Sequence, residues 1–267
     1  MRKSLLLLLA VMLVTVLAAC GAKKEDNQGA GDGNTSGAGA SKKTIVLGTS
    51  ADYAPYEFHK KIDGKDQIVG FDIEIAKEIA KDMGAKLEIQ DMKFDGLLLA
   101  LNADKVDMVI SGMTPTEDRK KNVDFSDIYY MAKQAVMVKA DNKAGLKTDE
   151  DLKGKKIGVQ KGSIQEGIAK EIQGAKLTSL SKITELVLEL KSGRVDAIIV
   201  ELPVAEQYAK KGDYSIPFNV NVEEGGSAIA IKKGNSEVLE SVNKTLKRLK
   251  EDGLIDRFVV EANELVE

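Results

Sequence analysis

Two stretches of this chain spell the same short structure. Leu97-Leu98-Leu99-Ala100-Leu101 leads through a polar turn to Val106-Asp107-Met108-Val109-Ile110, and Leu186-Val187-Leu188-Glu189-Leu190 leads at the same offset to Val195-Asp196-Ala197-Ile198-Ile199. Each reads as a leucine-rich helix, a turn, then Val-Asp opening an apolar strand. A unit of this kind buries its apolar face only against neighbours. Its repetition therefore predicts two lobes of similar build, each with its own sheet.

The flanking patterns agree. Thr44–Thr49 reads as a short apolar strand. Phe71, Ile75, Ile79 and Met83 recur four apart beside Ala76 and Ala80, one apolar helix face closed by Gly84. Lys86–Gln90 reads as a strand, Asp95–Asn102 as a helix and Val106–Ile110 as a strand. A second series follows: strand Lys156–Val159, helices Ser163–Ile172 and Thr184–Ser192, strand Val195–Val200, helix Pro203–Lys210. Two further helices, Ser236–Asp252 and Leu254–Ala262, end the chain. Alternating strands and helices predict an α/β fold with largely parallel sheets.

Before Thr44 the pattern is different. Arg2 and Lys3 precede an apolar run from Leu5 to Ala19 that ends in Leu17-Ala18-Ala19-Cys20. The run is shorter than the roughly 20 residues a membrane-spanning helix needs, and basic residues, apolar run and small residues in that order make residues 1–19 a signal peptide. Leu-Ala-Ala-Cys resembles the bacterial lipobox, which implies cleavage before Cys20 and lipid on its thiol. Residues 20–41, rich in Gly, Ala, Ser and charge, carry too little apolar surface to fold and read as a flexible tether. A lipid and a tether together place the folded part in water beside a membrane. They predict a cell-membrane lipoprotein on the extracellular face, a Gram-positive surface ahead of a periplasm.

Composition excludes several functions. One cysteine and one histidine permit no disulfide framework and no Cys/His zinc site, so no metal and no cofactor is expected. His59 sits in a polar His-Lys-Lys-Ile-Asp-Gly stretch that reads as a turn, a poor setting for a catalytic triad. A formal charge of −3, with lysines mixed among carboxylates, predicts no nucleic-acid partner.

Ligands of open α/β sheets gather at the carboxyl ends of strands. After the first strand comes Ser50-Ala51-Asp52-Tyr53-Ala54-Pro55-Tyr56-Glu57-Phe58, aromatic-rich in a chain with 4% aromatics. After Val106–Ile110 comes Ser111-Gly112-Met113-Thr114-Pro115-Thr116-Glu117-Asp118-Arg119, where Arg119 and Thr114 suit a carboxylate. Gln160-Lys161-Gly162-Ser163-Ile164-Gln165 opens a helix whose N-terminus favours an anion. Glu201, at a strand end, suits an ammonium group. A cation for a carboxylate, a carboxylate for an amine and aromatics for a side-chain stem describe an α-amino acid.

From Thr44 onward the chain resembles the polar amino-acid-binding proteins of bacterial ABC importers, the family that includes glutamine- and lysine/arginine/ornithine-binding proteins. The resemblance rests on Gly48-Thr49-Ser50 with Tyr53-Ala54-Pro55-Tyr56, Val69-Gly70-Phe71-Asp72, Met92-Lys93-Phe94-Asp95-Gly96, Ser111-Gly112-Met113-Thr114 with Arg119, Val123-Asp124-Phe125-Ser126, Gly154-Lys155-Lys156-Ile157-Gly158-Val159 and Glu201-Leu202-Pro203. It implies a type II periplasmic-binding-protein-like fold. Residues 42–131 and 228–267 would form lobe 1 and residues 135–224 lobe 2, with a two-stranded hinge near Lys133–Lys139 and Gly226–Ile231. It also implies that Arg119 binds the ligand α-carboxylate, assisted by Thr114, the Ser111–Gly112 backbone and the Ser163 and Ile164 N–H groups. Glu201, where many relatives have Asp, would take the α-ammonium. Tyr53 and Phe94 would sandwich the side chain, with Ser50, Glu57 and Gln160 at its far end. Val69–Asp72 and Val123–Ser126 read as scaffold.

Some relatives with cationic ligands carry a carboxylate where this chain has Ser50. Glu57 supplies such a charge, whereas Ser50 and Gln160 suit a neutral amide, so arginine or lysine and glutamine stay open. The implied partners are a free L-amino acid, an ABC permease with its ATPase subunits, and the membrane through Cys20. Two other functions compete: an exported dehydratase of the same fold using Glu201 as general acid, and a sensor-type ligand-binding domain, which would continue into a transmembrane helix and signalling domain that this sequence does not show. The reading preferred is a binding protein and not an enzyme.

Overall fold

The computed structural model describes residues 44–221 and 225–266. The leader, Cys20 and the tether lie outside the described residues. Two five-stranded sheets organise the chain. The first holds β1 (Thr44–Thr49), β5 (Lys86–Asp91), β6 (Met108–Val109), β7 (Val123–Phe125) and β15 (Ala230–Lys232), in the order β5-β1-β6-β15-β7. The second holds β9 (Gln134–Lys139), β10 (Lys156–Gln160), β11 (Lys176–Leu180), β12 (Ala197–Glu201) and β13 (Tyr214–Asn219), in the order β11-β10-β12-β9-β13. In each, three parallel strands are followed by a fourth antiparallel to them and a fifth antiparallel to the fourth. The fold is therefore two sheet-containing α/β lobes.

The repeated sequence motif is a packing unit in both lobes. Asp107 Oδ2 accepts from Val46 N–H at 2.7 Å while Asp107 N–H returns to Val46 O at 2.8 Å. Asp196 and Lys156 repeat the exchange at 2.9 and 2.8 Å. A Cβ built on Gly48 would lie 3.2 Å from Val106 and 3.4 Å from Leu97. One on Gly158 would lie 3.2 Å from Leu186 and 3.5 Å from Val195. In both lobes a glycine on the middle one of the three parallel strands, β1 or β10, lets the Leu-rich helix and the Val-Asp turn seat closely.

Helices cover the sheets: α1 (Phe71–Asp82), α2 (Leu97–Asn102), α3 (Glu117–Lys120), α4 (Ile164–Glu171), α5 (Ile183–Lys191), α6 (Leu202–Ala209), α7 (Ser236–Glu251) and α8 (Leu254–Val266). The apolar stripe of α1 is buried, with Phe71, Ile75 and Ile79 at 0% exposure. The C-terminal helices return to lobe 1: Arg248 of α7 bonds Glu78 and Asp82 of α1, and Thr245 bonds Asp82 at 3.0 Å. Among the described residues no helix is long and apolar enough to cross a membrane.

Several expectations need correction. His59 is in a strand, not a turn: β3 (Glu57–Ile62) pairs with β4 (Lys65–Val69), and β2 (Asp52–Tyr53) joins them. The reversal falls at Asp63-Gly64, φ 50° and 75°, the Asp-Gly hairpin signal of a type I′ turn. Burial opposes charge on His59, but hydrogen bonds to Asp66 at 2.7 Å and Asp91 at 3.3 Å outweigh it and raise its pKa. The expected helix from Asp95 begins as a 3-10 turn at Phe94–Gly96. The interlobe strand pair lies earlier than expected: β8 (Tyr130–Ala132) pairs with β14 (Gly225–Ser227), while most of Lys133–Lys139 is already β9 of the second sheet. Close packing sets that position, since a Cβ on Gly226 would meet Ile128 at 2.3 Å and Met131 at 2.6 Å.

Gly70 joins the aromatic loop to α1. Its φ is 127°, and a Cβ there would lie 2.1 Å from Tyr56 O. Phe71 and Asp72 N–H groups donate to Pro55 and Tyr56 carbonyls at 3.2 and 3.0 Å. This places Asp72, 0% exposed, beside Glu57, also 0% exposed. Asp72 Oδ2 accepts from Gly112 N–H and Tyr129 O–H, both at 2.9 Å, and Glu57 Oε1 accepts from Ser111 O–H at 2.5 Å. Two facing carboxyls thus brace the loop after β6. Burial raises both pKa values, Asp72 to about 6 against hydrogen bonds that lower it, and the charge of Asp72 pushes Glu57 further up.

Gly70→Ala combines a clash with backbone and a φ that side chains avoid. It is expected to destabilise by about 3 kcal/mol or more in urea unfolding. The carboxyl pair gives a pH signature. Both groups are raised, so the native state holds protons that the unfolded chain releases from about pH 4 upward. Stability from this pair therefore falls as pH rises above about 4; the share of Asp72 is lost by about pH 6, where it ionises in the native state, and that of Glu57 goes on falling until Glu57 ionises. Glu57→Gln keeps a donor toward Asp72 and an acceptor for Ser111 but cannot ionise. It is expected within about 1 kcal/mol of the parent near pH 4 and to gain on it as pH rises, until Glu57 ionises in the native parent; a constant difference would contradict a Glu57 carboxyl raised by burial.

Candidate functional site

The strand-end loops of the two lobes meet around a cavity of about 10 Å³, room for one water molecule. Ten of the twelve residues singled out from sequence line it: Tyr53, Phe94, Ser111, Gly112, Thr114, Arg119, Gln160, Ser163, Ile164 and Glu201. Ser50 and Glu57 do not. Ser50 is 3% exposed and points its hydroxyl at Asp52 Oδ1, 3.3 Å away, and Glu57 is held behind the wall by Ser111. Gln165 joins the lining and was missed. It follows Ile164 in the first turn of α4, so the register of that helix carried the signal.

Arg119 stands on α3, whose N-cap Thr116 accepts from Arg119 N–H at 3.3 Å. Its guanidinium donates to Thr114 O at 2.7 Å in lobe 1 and to Gly162 O at 2.9 Å in lobe 2, and lies 5.5 Å from the Phe94 ring centre. Burial lowers its pKa to about 10. Among the described residues it bonds carbonyls and no carboxylate.

Glu201, 2% exposed, ends β12, and its N–H donates to Tyr53 O–H at 3.2 Å. Burial raises its carboxyl to about 7, partly opposed by the Tyr56 hydroxyl and Gln134 amide nearby. Glu201 Oε2 has no hydrogen-bond partner among the described residues. Burial, with the charge of Glu201 beside it, also pushes Tyr53 and Tyr56 upward, so both phenols are neutral.

Two backbone assignments change. Gly112, φ 53°, spends its N–H on Asp72 at 2.9 Å, and Ser163 spends its N–H on Gln160 O at 3.2 Å. Ser163 Oγ accepts from Glu166 N–H at 3.2 Å as the N-cap of α4. The amides of Ile164 and Gln165, the first two of that helix, have no intrahelical partner to make. Gln165 Nε2 donates to Gln134 Oε1 at 2.7 Å. The cavity therefore offers a cation without a carboxylate, a carboxylate with a free oxygen, two aromatic rings and helix amides. Among the described residues no group of side chains suits a metal ion.

The sequence matches the family model for bacterial extracellular solute-binding proteins, family 3, over residues 45–183 and 161–261. It is 44% identical over 265 residues to the arginine-binding extracellular protein ArtP of Bacillus subtilis, covering 97% of this chain and 96% of that one. A solved substrate-binding protein of an amino acid ABC transporter is 50% identical, with a TM-score of 0.78 over 82% of this chain and 98% of its own. The substrate-binding protein AbpA of Streptococcus pneumoniae, solved with L-arginine, is 42% identical, with a TM-score of 0.81 over 84% of this chain and 95% of its own. These relatives are binding proteins and not enzymes. With both lobes and their connection inside the matched span, the chain belongs to the bacterial extracellular solute-binding proteins, family 3.

Proposed function

We propose that this chain captures a free L-amino acid, arginine foremost, outside the cell and delivers it to an ABC permease while anchored through lipid on Cys20. One observation carries the binding reading: Arg119, bonded only to carbonyls, and Glu201, with Oε2 free, line the same cavity. A zwitterion answers both at once, its carboxylate gripped by the guanidinium fork and its ammonium by the carboxylate. The cavity is too small for an amino acid as it stands, so the lobes part to admit one, and a ligand that touches both then favours the shut form.

Arginine is favoured by the arginine-binding relatives and by aromatic faces that suit a guanidinium. Arg119 already lies over the Phe94 ring. With Glu57 behind the wall, Tyr53, Phe94 and the buried acids near them supply the attraction for a cationic side chain. Glutamine is a second reading, supported by Gln160 and Gln165 in the lining. A thermal-shift screen of the twenty amino acids decides between them, because a ligand that binds only the native state raises its melting temperature. No shift with any of them would overturn the reading.

Arg119→Ala is expected to weaken L-arginine binding by roughly 100-fold or more in calorimetry, and Arg119→Lys to recover only part. Circular dichroism should show both variants folded, since the side chain lines a cleft. Glu201 adds a pH dependence. Its carboxyl sits at about 7 in the empty protein, and an ammonium partner would lower it. Binding therefore expels a proton below about pH 7, and affinity should fall as pH drops from 7 to 5. Glu201→Gln should weaken binding at pH 8 and flatten that fall; an unaltered profile would remove Glu201 from the ammonium site.

Anchoring is tested separately. Cys20→Ala should release folded protein from the membrane fraction and abolish labelling with a fatty-acid analogue. Retention with label would refute the lipobox assignment.

A further inference from the structure

Helix α5 of lobe 2 begins without a cap of its own. Its N-cap position is Lys182, whose side chain makes no capping hydrogen bond, whereas α4 in the same lobe is capped by Ser163. The missing acceptor comes from the other lobe. Asp52 on β2, next to Tyr53 in the cavity wall, accepts from Ile183 N–H through Oδ2 at 2.5 Å, and the Thr184 amide and Lys182 charge also favour its ionised form. Its Oδ1 accepts from Ser50 O–H at 3.3 Å, which fixes the carboxylate's direction. The two ends of this contact are 131 residues apart in sequence, one on β2 and the other opening helix α5.

We propose that Asp52 is a closure residue: it caps α5 across the cleft only when the lobes are shut, so it adds to ligand affinity without touching the ligand. The first amides of a helix need an acceptor. With the lobes apart, water serves α5; with them shut, water is excluded there and Asp52 takes its place. Burial raises Asp52 to about 6, so desolvation offsets part of the gain, and the net effect on affinity lies at the lower end of the range for helix caps. Like other contacts formed on closing, it acts mainly on the rate of release.

The inference rests on the amino-acid-binding reading, and the experiment separates the two. L-Arginine binding is measured by calorimetry and stopped flow in the parent, Asp52→Ala, Asp52→Asn and Lys182→Ser. If the parent fails to bind L-arginine, the ligand reading fails, and the same series is run with the amino acid that gives the largest thermal shift. Asp52→Ala should weaken binding by roughly 3- to 10-fold through faster release. Asp52→Asn, whose amide oxygen still caps, should restore most of it. Lys182→Ser gives α5 a cap within its own lobe, so it should weaken binding comparably while raising the melting temperature of the ligand-free protein. Amide exchange at Ile183 gives the direct readout: protection should rise on ligand saturation in the parent and not in Asp52→Ala, with the interior of α5 unaffected. Parent-like release from Asp52→Ala, or unchanged protection at Ile183, would overturn the proposal. Loss of melting temperature in ligand-free Asp52→Ala would instead mark a purely structural role.

Discussion

The Arg119 guanidinium is drawn partly out of water with no carboxylate to answer it, and much of the molecule follows from keeping that arrangement tolerable. Its donors are met by Thr114 O on one lobe and Gly162 O on the other, with the Phe94 ring beneath. Carbonyl dipoles stabilise a cation less than a carboxylate does, which leaves unspent attraction for an anionic ligand group. An aspartate placed beside Arg119 would quench that attraction. The acids nearest the cleft are held back: Glu57 and Asp72 behind the Ser111–Gly112 turn, Asp52 at the end of α5, Glu201 with burial holding its proton to about 7. Opposite charges share one cavity because each is engaged elsewhere or partly neutralised.

Much of this was legible in the sequence, for identifiable reasons. The Leu-rich helix followed by Val-Asp could be read twice because each piece does a local task. The Asp closes a reciprocal pair with the first strand, and the Leu and Val fill the space beside Gly48 or Gly158. The rule that ligands sit at strand ends then gathered ten of the lining residues, since backbone topology decides which loops converge. The β3–β4 hairpin escapes a pattern reading although Asp63-Gly64 announces it, because the unbroken polar runs His59-Lys60-Lys61 and Lys65-Asp66-Gln67 leave no alternation to see.

What the sequence could not give was the direction of polar side chains. Glu57 reads as a ligand acid by position, yet its partner is decided by Gly70, which brings Asp72 from another element against it. Gly112 and Ser163 were assigned by proximity to the right loops, but their amides are already engaged by Asp72 and Gln160. Such hydrogen bonds join residues far apart in the chain, or turn on φ values that several residue types tolerate, and no local pattern encodes them.

Several polar contacts cross the cleft. Arg119 to Gly162, Tyr53 to Glu201 and Asp52 to Ile183 each pair a side chain of lobe 1 with a backbone group of lobe 2. Asp95 adds Lys161 at 2.9 Å and Ser181 at 3.3 Å. Each of these groups loses water on shutting, so each is worth little net. Apolar contact joins the lobes as well, since Tyr53 of β2 and Ile183 of α5 belong to one buried cluster. The differential affinity of a ligand that touches both lobes shifts the balance toward the shut form. Lobe 2 contributes mostly strand-end and helix-start backbone, which is fixed by its sheet, while lobe 1 contributes the side chains that reach over.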